Sequence, residues 1–180
     1  DDCEDFPVHV GDMYASLIEG PAVWCTTAMV RSAPGRPRVY FPEDISYSED
    51  WEYFSELARQ GPAAFMDREL AIMHIGHGSP QLIESGGVYR ADTRMTVLQR
   101  VWGSDPEFLR SDPGAYHSAL KKLRVMRIRR LLLAGDTKEA RVQLRLLKEH
   151  HILLRFLTWM PTKIVLLGMW ILWRPALQAV

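Results

Sequence analysis

Cysteine is scarce in this chain: two residues in 180. Cys3 and Cys25 are too few for a disulfide framework and lack zinc-binding spacing, so two free thiols in a reducing, cytoplasmic compartment are expected. Long apolar runs are missing too. The longest uncharged stretch in the apolar C-terminal part, Ile164 to Trp173, is 10 residues, whereas crossing a bilayer takes about 20. Asp1 is preceded by no basic-then-apolar leader, so the expectation is a piece of a longer polypeptide without a signal peptide. There is no helix-turn-helix, zinc-finger or RNA-recognition signature, and nucleic acid is not an expected partner. Neither a phosphate-cradling glycine loop nor a Ser/His/Asp nucleophile arrangement is evident.

Net charge is also absent, with 22 Lys/Arg against 22 Asp/Glu, but the balance is uneven. Residues 1–110 hold 9 basic and 18 acidic side chains (−9), and residues 111–180 hold 13 and 4 (+9). Such asymmetry points to different partners for the two parts, or to mutual attraction. At 47% hydrophobic, with six each of Trp, Tyr and Phe, the chain has ample material for a core.

Periodicity and punctuation organise the chain. A helix over 12–19 stops at Gly20-Pro21, a strand covers 22–30, and the Pro- and Gly-bearing segment 33–37 is a loop. Ser48 suits a helix N-cap, with Glu49 and Asp50 in a dipole-favoured first turn. Trp51, Phe54, Leu57 and Ala58 recur at helical spacing until Gly61-Pro62. Strands are expected at 63–66 and 70–75, and helices near 91–102, 113–134, 137–150 and 151–174, with Asp136 or Thr137 capping the third. Lys121, Lys122, Arg124, Arg127, Arg129 and Arg130 make one of these helices basic, a feature of solvated faces that also suits anionic lipid. The apolar tail carries Trp159, Trp170 and Trp173 beside Arg155, Lys163 and Arg174; it either lies in a membrane headgroup region or packs on protein.

Residues 39–61, from Val39-Tyr40-Phe41-Pro42-Glu43-Asp44 through Ser48-Glu49-Asp50-Trp51 to Leu57-Ala58-Arg59-Gln60-Gly61, resemble the acceptor-site signature of family 2 glycosyltransferases. Before it, residues 19–31 resemble the family's strand ending in a basic residue; after it, residues 67–79 resemble the strand leading to a His and a Ser. The likeness covers roughly residues 12–82. It implies an α/β fold, a partial GT-A-like domain over 1–90, followed by an α-helical extension over 91–180. It implies transfer of a sugar, with inversion, from a nucleotide-sugar donor to a hydroxyl acceptor on a glycan, lipid-linked carrier or protein.

By the same resemblance Asp50 is the base, Glu49 positions acceptor or loop, and Trp51 and Glu43 shape the acceptor site. One of His74 and His77, preferably His77, approaches the diphosphate or its metal. A carboxylate at a helix N-terminus suits a base, being fixed in place and ionised near neutral pH. A divalent metal, Mg or Mn, is implied as cofactor, held mainly by upstream residues, because the family's metal-binding Asp-x-Asp and nucleotide-binding βαβ region have no counterpart here. Pro42 departs from the family's Asp at that loop position. The competing expectation is a non-catalytic helical adaptor whose basic tail docks on a membrane surface or acidic partner, peripheral to the inner face of the membrane.

Overall fold

The computed structural model describes residues 7–31, 35, 37–72 and 87–146. Two strands, β1 (Val8–Gly11) and β2 (Ala63–Met66), pair antiparallel, with Val8 opposite Met66 and Gly11 opposite Ala63. Five α-helices occur among the described residues: α1 (Glu49–Arg59), α2 (Gly87–Val101), α3 (Pro106–Ser111), α4 (Pro113–Leu133) and α5 (Thr137–Leu146). The described fold is therefore mixed but mostly helical, with one two-stranded antiparallel sheet.

The helix boundaries follow local chemistry. Asp105 accepts from the Glu107 and Phe108 amides at 3.0 Å each and caps α3, which opens on Pro106. Asp112 caps α4 by accepting from Ala115 N at 2.9 Å, again ahead of a proline. Asp136, not Thr137, caps α5, accepting from Glu139 N at 3.0 Å. Gly135 supplies the positive φ of 80° that lets α4 turn into α5.

A first core joins Leu17, Ile18, Trp51, Val97, Leu98, Val101, Trp102, Phe108 and Ala119. A second gathers Ile128, Leu131, Leu132, Ala140 and Leu144 between α4 and α5. α4 belongs to both, so it welds them. The first core also runs across the expected division at residue 90: Leu17 and Trp51 pack with Val97 and Trp102.

Several expectations differ from the structure. Residues 22–30 form no strand; Cys25–Thr27 is a turn, and Trp24, Met29 and Val30 are exposed. Their β-branched and aromatic composition meets no partner strand among the described residues, and propensity without a partner does not make a sheet. Within 12–19 only Ser16–Glu19 is helical, as one 3-10 turn, while Val8–Gly11 form the strand that the reading missed. Residues 70–72 are not extended in a sheet, and the rest of the expected strand 70–75 lies outside the described residues, as does the expected helix 151–174. α2 begins at Gly87, earlier than expected.

Candidate functional site

The segment from Asp44 to Trp51 is held against α2 by side chains that the sequence reading did not single out. Arg100 grips Asp44 with both guanidinium nitrogens, one contact being Nη1 to Oδ1 at 3.0 Å, and reaches Glu52 Oε2 at 3.5 Å. Nearer the start of α2, Ser46 N donates to the Tyr89 hydroxyl at 3.3 Å, and the two hydroxyls lie 3.1 Å apart. Arg90 sits over the Tyr47 ring, 5.0 Å from its centroid. Asp44 is held below the ordinary carboxylate range by Arg100, whereas burial pushes Glu52 upward against the same arginine's pull.

Ser48 occupies the expected cap position but does not cap. Its φ of 63° is left-handed, the only positive φ among the described non-glycine residues, and its buried hydroxyl has no partner. A capping serine needs extended backbone, so here the side chain is aimed elsewhere. The conformation costs on the order of 1–2 kcal/mol.

Asp50 is half-buried in the first turn of α1. Its Oδ1 accepts from Trp51 N at 2.7 Å, so the carboxylate partly serves as complement to the helix end. No Lys or Arg forms an ion pair with it among the described residues. Nearby positive charge comes from Arg94, whose own charge is disfavoured first by burial and then by Arg90, and is supported by Tyr47 and Asp50. Cys25 is exposed, yet its thiol is pushed up, first by desolvation and then by Asp50 and Glu49. The 25–27 turn therefore lies beside the start of α1, and the thiol there stays protonated.

The expected site residues fall into three groups. Glu49 and Asp50 are together on the first turn of α1, and Glu43 is exposed on the loop before it. Trp51 is not available as a sugar platform: it is 3% exposed, its Nε1 donates to Leu17 O at 2.7 Å, and its ring meets Trp102 at 5.5 Å. Its place on the α1 stripe with Ser55 and Ala58 makes it a core residue. His74, His77 and Cys3 lie outside the described residues. No group of three His, Cys, Asp or Glu suited to a metal ion occurs among the described residues. The side chains the reading missed, Tyr89, Arg90, Arg94 and Arg100, share one helix, and the spacing of Arg90 and Arg94 on one face was the available signal.

Compared with known proteins, the chain matches no family model, no curated protein and no solved structure.

Proposed function

We propose that this chain is the acceptor-side half of a family 2, GT-A-type glycosyltransferase that transfers a sugar, with inversion, from a nucleotide-sugar donor to a hydroxyl acceptor. The observation carrying this reading is the state of Asp50: half-buried at a helix start, without an ion-pair partner among the described residues, on a segment tethered to α2 through Arg100 and Tyr89. A base must be held in position, and the helix start together with the tether to α2 holds Asp50. Two residues before it, Ser48 holds a left-handed backbone with a buried unpartnered hydroxyl, the kind of local strain that clusters at working sites.

In this reading Asp50 takes the proton of the acceptor hydroxyl as that oxygen bonds to the anomeric carbon. The bond from that carbon to the donor's diphosphate oxygen breaks at the same time, and its electron pair leaves with the diphosphate. Glu49, one residue earlier on the same turn, orients acceptor or loop. The two-stranded sheet also suits a half-domain. Val10 and Phe65 are 71% and 63% exposed, and an isolated strand pair is marginal in water, so further strands packing there would complete it. A divalent metal, Mg or Mn, belongs to the reading through upstream residues; the described residues offer no metal-holding group, and no step here is routed through one.

The test is an assay of the full-length protein with nucleotide sugars. Asp50→Asn is expected to lower turnover by about 10²–10⁴-fold, and Glu49→Gln by less; undiminished turnover in Asp50→Asn removes the base. The adaptor reading draws less support, because some basic residues of α4 are paired within the chain: Arg127 with Asp92 and Glu139, and, on the surface, Lys122 with Glu19. No helix among the described residues is long and apolar enough to cross a membrane. Liposome flotation unaffected by removal of residues 151–180 would end the membrane-docking version.

A further inference from the structure

Arg90 and Arg94 lie one turn apart on the same face of α2, in its first two turns. Like charges at this spacing repel. Three other arginines are paired with carboxylates: Arg59 on α1 with Glu56, Arg100 at the far end of α2 with Asp44 and Glu52, and Arg127 on α4 with Asp92 and Glu139. Arg90 and Arg94 have no carboxylate in ion-pair range among the described residues, and the Nε of each is shielded from solvent without a hydrogen-bond partner. A desolvated, unpaired guanidinium donor is costly. Arg90 is fixed over Tyr47, three residues before Asp50, and Arg94 feels the charge of Asp50. The pair is thus held beside the proposed base, and the N-terminal half of α2 adds a dipole that favours negative charge.

We infer that Arg90 and Arg94 form a binding site for a diphosphate group, placed beside the Asp50 turn. Guanidinium forks match phosphoryl oxygens in pairs, and two forks a helical turn apart suit two linked phosphoryl groups better than a single anion. The inference rests on the glycosyltransferase reading for its purpose. A leaving diphosphate withdraws from the anomeric carbon on the face opposite the attacking hydroxyl, so base and diphosphate anchor belong near one another, about one sugar apart. Tyr47 links them. The diphosphate has two possible sources with the same chemistry: a nucleoside diphosphate from the donor, or the diphosphate of a lipid-linked acceptor.

Titration calorimetry on the 180-residue chain at low salt tests this with inorganic pyrophosphate. Saturable binding is expected, weakened about tenfold or more by Arg94→Ala and by Arg90→Ala, and unchanged by Arg110→Ala on α3. Arg94→Lys and Arg90→Lys keep the charge and lose the fork; they should bind several-fold more weakly while circular dichroism is unaltered. No saturable binding, or wild-type affinity in the lysine variants, overturns the site even if the alanine variants misfold. Displacement of pyrophosphate by a nucleoside diphosphate assigns the donor source, and displacement by a short prenyl diphosphate alone assigns the acceptor source. Displacement by neither also overturns it. Asp50→Asn removes a nearby negative charge and should leave pyrophosphate binding intact or tighter. If Asp50→Asn abolishes transfer while Arg94→Lys binds pyrophosphate normally, the anion site fails alone; intact transfer in Asp50→Asn with pyrophosphate binding lost in Arg94→Lys removes the base alone.

Discussion

Trp51 and Trp102, from opposite sides of the expected domain division, meet at 5.5 Å and both fasten the same short segment: Trp51 donates to Leu17 O at 2.7 Å and Trp102 to Tyr14 O at 3.2 Å. The two indoles therefore tie the start of α1, the end of α2 and the 14–17 turn into one unit. Any chemistry at Glu49 and Asp50 is carried on this frame.

Replacing Trp51 should be felt as stability. Trp51→Ala is expected to cost about 3–5 kcal/mol and Trp51→Phe about 1–3, through lost packing and the stranded Leu17 carbonyl. Urea unfolding measures this. A Trp51→Phe protein as stable as wild type, but with weakened acceptor binding, would restore the platform role that burial argues against.

Asp105 and Tyr14 set both ends of the pH range. Asp105 is held below the ordinary carboxylate range, mainly by the Phe108 amide and further by the Tyr14 hydroxyl at 3.1 Å. Because its folded value is depressed, the stability it contributes is present above the unfolded aspartate value, about 4, and is lost as pH falls through the folded value. Tyr14 is shifted the other way, chiefly by burial and then by Asp105. Its contribution is complete below the unfolded tyrosine value, about 10, and declines as pH rises beyond it. Asp105→Asn keeps a good cap, so it should flatten the acid limb of a Tm-against-pH curve, and Tyr14→Phe should flatten the alkaline limb. Unchanged limbs would disprove the linkage.

Ser48→Gly should stabilise the protein by about 1 kcal/mol. It relieves the left-handed backbone and removes a buried hydroxyl without a partner, partly offset by the freedom glycine adds to the unfolded chain. A lower Tm in Ser48→Gly would show that the hydroxyl has a partner that matters.

Gly103 packs where α2 ends. A Cβ there would lie 2.7 Å from Gln99 O and 2.8 Å from the Tyr116 hydroxyl, and the backbone oxygen cannot easily withdraw. Gly103→Ala should cost about 1–3 kcal/mol. Gly11→Ala, with no atom within 4 Å of its Cβ, should stay within about 0.5 kcal/mol. Equal Tm values for the two variants would contradict the close approach.

Helices α1, α2, α4 and α5 were legible because their signals are local, whereas the short α3 was not anticipated and 12–19 gave only one 3-10 turn. The Gly61-Pro62 stop, the apolar stripe through Trp51 and Ala58, and the Asp136 turn lie within a few residues of what they control. Strands depend on partners far along the chain. β1 pairs Val8 with Met66, and nothing near Val8 announces it, while residues 22–30 have strand composition and no partner strand among the described residues. Within the candidate site, Glu49 and Asp50 came from a motif. Their anchors Tyr89 and Arg100 lie some 40–50 residues away and became visible only through the packing of α2 on the loop.

The sequence by itself determined that a helix would start at Glu49 with carboxylates in its first turn, because dipole and apolar spacing act over single turns. It also determined the Asp136 turn between two helices. Tertiary structure decided that Trp51 is core and unavailable to a sugar, that Ser48 is left-handed and uncapped, and that Arg90 and Arg94 have no ion-paired carboxylate among the described residues. The physical reason is distance along the chain: burial and the pairing of charges arise between segments that only folding brings together.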